Sequence, residues 1–307
     1  MKKLYSFFIA LFVLTGSGFS QGGMDFGLNL GGASYLGEIG GTSGEAKPWL
    51  LDMKLSQSNI AFGGFFRYDI TRSLSTKLSL NYMRIEGADS LSDEPTRIGR
   101  NLSFRTNMIE AVITGEFKFF QIRDLSRRSR QRVDFSTYVM AGAGVLFYYP
   151  YAQDNSGEWI ELRPLQTEGA DNAYEEMTIA IPIGAGVNFT FNKKFRLGME
   201  FGYRFTFTDY LDDVSTRYAD PADLPFAKSV EMANRSVQAF AREEGKLSEV
   251  GLSVESYSPG SIRGGEDSND GYLVGQISLS YVMGGGNSFY KSKYNSIINR
   301  RRKRTKF

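Results

Sequence analysis

The chain contains neither cysteine nor histidine. Without cysteine, no covalent cross-link can staple the fold. Without histidine, Ser-His-Asp and Cys-His nucleophilic machinery is excluded, and so are nearly all zinc, copper and iron sites. Proline is scarce, at 8 of 307 residues, and neither charge sign is in excess: 36 Lys+Arg face 34 Asp+Glu, a net charge of +2. Global charge therefore names no partner. Long apolar runs are also missing. Residues 135–151 are apolar enough to suggest a membrane helix but fall short of the roughly 20 residues a helical span needs. What the chain has is rings and glycine: 14% of residues are aromatic and 34 are Gly, the composition of a β protein that sets rings on an exposed surface.

Residues 1–20 read as a secretory signal peptide. Lys2 and Lys3 form a charged start, Leu4 to Leu14 an apolar stretch, and Gly18 and Ser20 a small-residue cleavage site before Gln21. Residues 21–283 read as one domain and 284–307 as a basic tail. Within the domain one pattern repeats, about ten residues alternating apolar and polar and then a break. Ile60, Phe62, Phe66 and Tyr68 share one phase, with Arg67 and Asp69 in the other. Leu74, Leu78, Leu80 and Tyr82 oppose Ser75, Lys77, Ser79 and Asn81, and Ile109, Ile113 and Phe117 oppose Glu110, Glu116 and Lys118. Eight strands are predicted, at 24–35, 58–70, 74–86, 108–120, 133–149, 178–191, 195–210 and 271–283.

Which solvent meets the apolar face decides the architecture. A soluble sandwich turns it inward, whereas a membrane barrel turns it to lipid and keeps a polar lumen. Strand length, rings near strand ends and connections alternating short and long all favour the barrel. The predicted short links are 71–73, 121–132 and 192–194, and the long ones are 36–57, 87–107, 150–177 and 211–271. The expected fold class is thus all-β, an eight-stranded antiparallel transmembrane barrel with both termini in the periplasm and long extracellular loops.

The bore of such a barrel is just wide enough for side chains to fill. Its predicted lining carries Arg67, Lys77, Lys118, Arg196 and Arg204 against Asp69, Glu110, Glu116 and Glu200. Near-balanced signs point to an ion-pair plug rather than a pore or a catalytic pair. Arg100 and Arg105 flank Phe104, read as snorkelling cations around an interfacial ring. The loop 211–270 carries one helical face (Phe226, Val230, Ala233, Val237, Phe240, Ala241) between Pro225 and Gly245, either a lid on the barrel mouth or a helix for a partner. In TDYLDDVSTRYAD (208–220), Thr208 and Tyr210 are expected to end a strand, and Asp209, Asp212, Asp213 and Asp220 to form an outer-rim corner in or near water, with calcium as a minor option. No cofactor or metal is otherwise expected. Two basic segments fall on the periplasmic side: Arg123, Arg127, Arg128, Arg130 and Arg132 in one, Arg300, Arg301, Arg302, Lys303 and Arg304 in the other. They form a candidate electrostatic docking surface for an acidic partner. No nucleic acid is expected there.

The stretches RNLSFRTNMIEAVITGEFKFF (100–120), LGGASYLGEIGG (30–41) and TDYLDDVSTRYAD together resemble the PorG family of outer-membrane barrels in the type IX secretion system of Bacteroidota. The resemblance implies a non-enzymatic scaffold for secretion and gliding motility. Implied partners are outer-membrane lipid and periplasmic ring components resembling PorK and PorN. The helix-bearing loop and the basic tail are longer than that family leads one to expect, which leaves room for a paralogue serving another complex. Alternatives are a surface adhesion or ligand-binding barrel working through its outer loops, and a lipid-modifying barrel enzyme, which the missing histidine disfavours.

Overall fold

The computed structural model describes residues 23–37, 39, 59–122, 133–265 and 268–283. The signal-peptide reading, the basic tail and both basic docking segments (Arg123, Arg127, Arg128, Arg130, Arg132; Arg300, Arg301, Arg302, Lys303, Arg304) lie outside the described residues.

Eight strands form the wall: β1 (Met24–Leu36), β2 (Asn59–Asp69), β3 (Leu74–Ala88), β4 (Ser103–Ile122), β5 (Val133–Gln153), β7 (Met177–Phe191), β8 (Phe195–Thr206) and β9 (Gly271–Met283). A short β6 (Trp159–Glu161) extends the β5 edge. Neighbours are antiparallel in the order β4-β3-β2-β1-β9-β8-β7-β5, and β4 pairs with β5 to close the sheet into a barrel. Closure leaves no open edge within the wall, as an apolar solvent demands.

The alternation is inverted relative to a soluble sandwich. Leu28, Leu30, Phe62, Leu78, Leu80, Ile113, Phe117, Met199 and Leu279 are exposed on the outer face, whereas Arg67, Lys77, Glu110, Glu116 and Arg204 are buried in the bore. An apolar outer belt around a charged interior is the arrangement of an outer-membrane β-barrel. Small residues let side chains cross the bore: a Cβ at Gly63 would collide with the Leu80 carbonyl and the Asn29 and Asn81 side chains.

One end carries the β2–β3 and β7–β8 links, the start of β1 and the end of β9; it is the turn end. The other, the loop end, is closed by an apolar layer including Tyr35, Met83, Ile85, Phe104, Met108, Leu146, Tyr148, Leu211 and Val214. Above it, α1 (Pro95–Arg100), α2 (Ala227–Ala233) and α3 (Ser236–Glu249) build a cap. Ile98, Tyr218, Ala239, Phe240, Leu247 and Tyr257 form its core.

Three expectations need correction. First, β4 starts at Ser103, five positions before the predicted 108, and β5 runs on to Gln153. Beyond the lipid belt the pattern flips phase, with Phe104 and Met108 inside and Arg105 and Asn107 outside, so an apolar-outward reading ends too early. Second, β8 stops at Thr206, leaving Thr208 and Tyr210 in the loop. Thr208 Oγ1 accepts from Tyr210 N at 3.2 Å, a side-chain turn that bends the chain off the wall. Third, the predicted single helix is interrupted twice, at Asn234 and at Glu243, where α3 kinks (φ −133°, ψ 30°). Asn234 is extended (φ −135°, ψ 116°) and its Oδ1 accepts from Ser236 N, which separates α2 from α3. Gly245 lies inside α3, and Phe226 and Val237 are exposed at 57% and 63% instead of sharing the buried face.

Candidate functional site

The lumen is built from the inward phase of every long strand. Near the turn end, Arg67 (β2) reaches Asp25 (β1) at 3.1 Å and Glu116 (β4) at 2.9 Å. Arg196 (β8) reaches Asp25 at 2.9 Å and Asp69 (β2) at 3.5 Å, and Lys118 pairs with Asp69. Farther in, Lys77 (β3) pairs with Glu200 (β8) and lies 3.7 Å from Glu116. Arg204 lies 3.5 Å from Glu110. All nine lumen residues named from the sequence meet in this network. The tenth, Asp25, brings it to five cations and five carboxylates. Its signal was its place in phase with Asn29, which points inward and bonds Asn81 and Gln276, each at 2.9 Å.

The strand order shows what these contacts do. β3 and β8 are four places apart in a ring of eight, so Lys77–Glu200 spans a diameter of the bore. Tyr272 (β9) and Glu110 (β4), bonded at 3.2 Å, span another. The charges neutralise one another across the axis, and the interior is a plug.

At the loop end the outer-rim corner is buried, which corrects the expectation of water contact. Asp209, Asp212 and Asp213 are 8%, 1% and 0% exposed, and only Asp220 faces solvent. Asp213, in the left-handed region at φ +68°, accepts from Thr167 and Tyr174, each at 2.5 Å, and lies 3.4 Å from Arg263. Arg263 donates to Glu168 at 2.8 Å and to the Asp213 and Ala233 carbonyls. Glu168 in turn accepts from Ser215 N, Thr216 N and Thr216 Oγ1. Burial opposes the Arg263 charge, but Glu168 and then Asp213 outweigh it and hold its pKa above the usual value. Asp212 and Asp270 both contact the Tyr35 hydroxyl, at 2.7 and 2.5 Å. A phenol has one proton to donate, so one of these carboxyls carries the proton of the second bond. Burial, followed by the charges of Asp212 and Asp209, pushes Asp270 well up.

The Asp212 and Asp213 oxygens are taken by protein donors. Among the described residues, no three carboxylates are arranged to hold a metal. The snorkelling reading around Phe104 is also corrected. Phe104 is buried, Arg100 forms a bidentate pair with buried Asp89 (2.8 and 2.9 Å), and Arg105 pairs with Glu86 while lying 3.7 Å over the Trp159 ring. The three stretches that carry the family resemblance converge here: Tyr35 bonds Asp212, and Thr106 Oγ1 bonds the Leu211 carbonyl.

No curated protein matches the chain. Among solved structures it is similar to the attachment invasion locus protein Ail of Yersinia pestis in complex with the heparin analogue sucrose octasulfate (10% identity, 86% of this chain and 99% of that one, TM-score 0.35). A second Ail structure gives 8% identity, 85% and 97% coverage and a TM-score of 0.34. The N-terminal β-barrel domain of Pseudomonas aeruginosa OprF gives 10% identity, 86% and 98% coverage and a TM-score of 0.32. A family model matches residues 2–231, and the chain belongs to that family, described as a domain of unknown function (DUF6089).

Proposed function

We propose that this protein is a non-enzymatic outer-membrane anchor that holds a periplasmic protein-secretion and gliding assembly of the type IX kind at the membrane. The observation that carries this reading is the crossed bore. With Lys77–Glu200 and Tyr272–Glu110 spanning it and an apolar layer above, the barrel offers no path for cargo, and its working surfaces are its ends. In this reading the turn end faces the periplasm. β4 ends at Ile122, β5 begins at Val133 and β9 ends at Met283, all at that end. Sequence as rich in arginine as 123–132 suits acidic ring components resembling PorK and PorN. The sequence resemblance to PorG supports the same assignment.

Reversing Arg127, Arg128 and Arg130 to glutamate tests it. Secretion of a type IX cargo should fall about tenfold or more, and co-purification of the ring should be lost, because rim charges govern encounter and its salt dependence. The variant barrel should keep its heat-modifiable gel mobility. Normal secretion from that folded variant would refute the anchoring role.

A further inference from the structure

Beyond the lipid belt the wall does not end evenly. On β7 the outward series stops at Met177, which lies in the same row as Phe147 (β5), Ile109 (β4) and Tyr82 (β3). Past that row β3, β4 and β5 continue, with β6 paired to the end of β5. Their next outward row is Arg84, Asn107 and Tyr149, followed by Glu86, Arg105, Tyr151 and Glu161. A final pair, Gln153 and Trp159, stands beyond. Rows are two residues apart, roughly 7 Å along a strand. The first two polar rows therefore stand at headgroup depth, directly above the apolar belt on the same strands.

The chemistry changes abruptly at this height. Tyr82 Oη and Arg84 Nε both donate to Asn107 Oδ1 at 3.0 Å. That carboxamide is neutral, and among the described residues no carboxylate pairs with Arg84. Its remaining N–H fork keeps a full charge at the lipid boundary, where a planar guanidinium suits phosphate oxygens. Beside it, Glu86 and the Trp159 ring hold the Arg105 guanidinium flat, and Trp159 is itself 39% exposed. An indole face, two tyrosines and planar polar groups provide flat apolar contact for sugar rings and hydrogen bonds for their hydroxyls.

We infer that the outward face of the β3–β4–β5–β6 extension binds the phosphorylated sugar headgroup of an outer-leaflet glycolipid, through Arg84, Arg105, Asn107, Tyr149 and Trp159. A membrane-held ligand is favoured over a soluble glycan because the face is continuous with the lipid-contacting belt. The assignment to the outer leaflet rests on the orientation in the proposed function, with the loop end outside.

The chain has two tryptophans, so Trp49→Phe leaves Trp159 as the only reporter. Folded protein in a sugar-free detergent is titrated with lipopolysaccharide, dephosphorylated lipopolysaccharide and phosphatidylglycerol. The Trp159 emission should shift saturably with lipopolysaccharide. The apparent affinity should weaken about tenfold or more in Arg84→Ala or on dephosphorylation, the scale of a lost charge-assisted pair. Equal responses to lipopolysaccharide and phosphatidylglycerol, or an unchanged response in a heat-modifiable Arg84→Ala/Arg105→Ala variant, would overturn the site. Orientation is read separately, from Glu244→Cys on the exposed face of α3 labelled in intact cells by a membrane-impermeant maleimide. Labelling without a lipopolysaccharide response sinks the headgroup site alone. A response without labelling keeps the binding chemistry and overturns the orientation, and with it the outer-leaflet assignment.

Discussion

Arg67→Met should cost the barrel about 3 kcal/mol or more, the scale expected when one member of a buried ion pair is removed and its partners stay charged. Methionine occupies similar volume, so the loss is electrostatic and not a cavity. The substitution strips Asp25 and Glu116 of a shared cation where neither has any exposed side-chain surface. Asp25 keeps Arg196 at 2.9 Å and Ser280 Oγ at 2.7 Å, but among the described residues Glu116 keeps only Lys77, at 3.7 Å, so Glu116 bears most of the penalty. Adding Glu116→Gln should recover much of the loss, because the uncompensated charge goes with it. Denaturant titration followed by heat-modifiable mobility measures both variants. A single variant within about 0.5 kcal/mol of the parent, the usual effect of surface substitutions, would mean that the bore is wet and its charges solvated. The crossed-plug argument against transport would fall with it.

The wall was legible because lipid imposes a period of two over most strands, and the same phase that exposes Leu78 and Ile113 aims Lys77 and Thr114 inward. Legibility stopped where the solvent changed. Past Tyr82 and Ile109 the outer face turns polar at Arg84, Asn107 and Arg105, the inner face becomes the apolar layer of Ile85, Phe104 and Met108, and the expected phase reverses. Asp25 escaped notice because the inward positions of β1 (Gly27, Asn29, Gly31, Ala33) are small or neutral and set no charged series. The cap was hidden for a different reason. Arg263 and Glu168 are 95 residues apart, and Tyr35 and Asp270 are 235 apart. Nothing local in YLDDVS indicates that its carboxylates turn inward to donors supplied by other loops. An acidic run read alone looks solvated, and only the tertiary partners reverse that.

Arg263→Met should release the cap while leaving the barrel intact. The guanidinium, 2% exposed, ties Glu168 to the Asp213 and Ala233 carbonyls and so joins the β5–β7 loop, the 208–220 corner and α2. Removing it leaves two buried carboxylates without a cation, at a cost of about 3–5 kcal/mol. That cost falls on a unit able to open separately from the wall. Hydrogen exchange across 211–265, corrected for intrinsic rates, should accelerate a hundredfold or more on that energy scale, roughly, while the strands keep their protection. Acceleration shared equally by the strands would show that cap and wall unfold together. The pH dependence of the parent cap follows from the same carboxylate. Burial pushes Asp213 up to about 6 from its ordinary 3.8, against the pull of Arg263, Thr167 and Tyr174 and helped by the charge of Glu168. Between those values the closed cap holds a proton that the opened one releases. The Asp213 contribution is therefore fully present below about pH 3.8 and is lost as pH rises through about 6. Asp270, pushed up by burial and by Asp212 and Asp209, acts in the same direction. Corrected exchange in the cap should consequently be slower at pH 5 than at pH 7, and Asp213→Asn should flatten the difference. A cap that instead tightens as pH rises from 5 to 7 would show that Arg263, and not burial, controls the ionisation of Asp213.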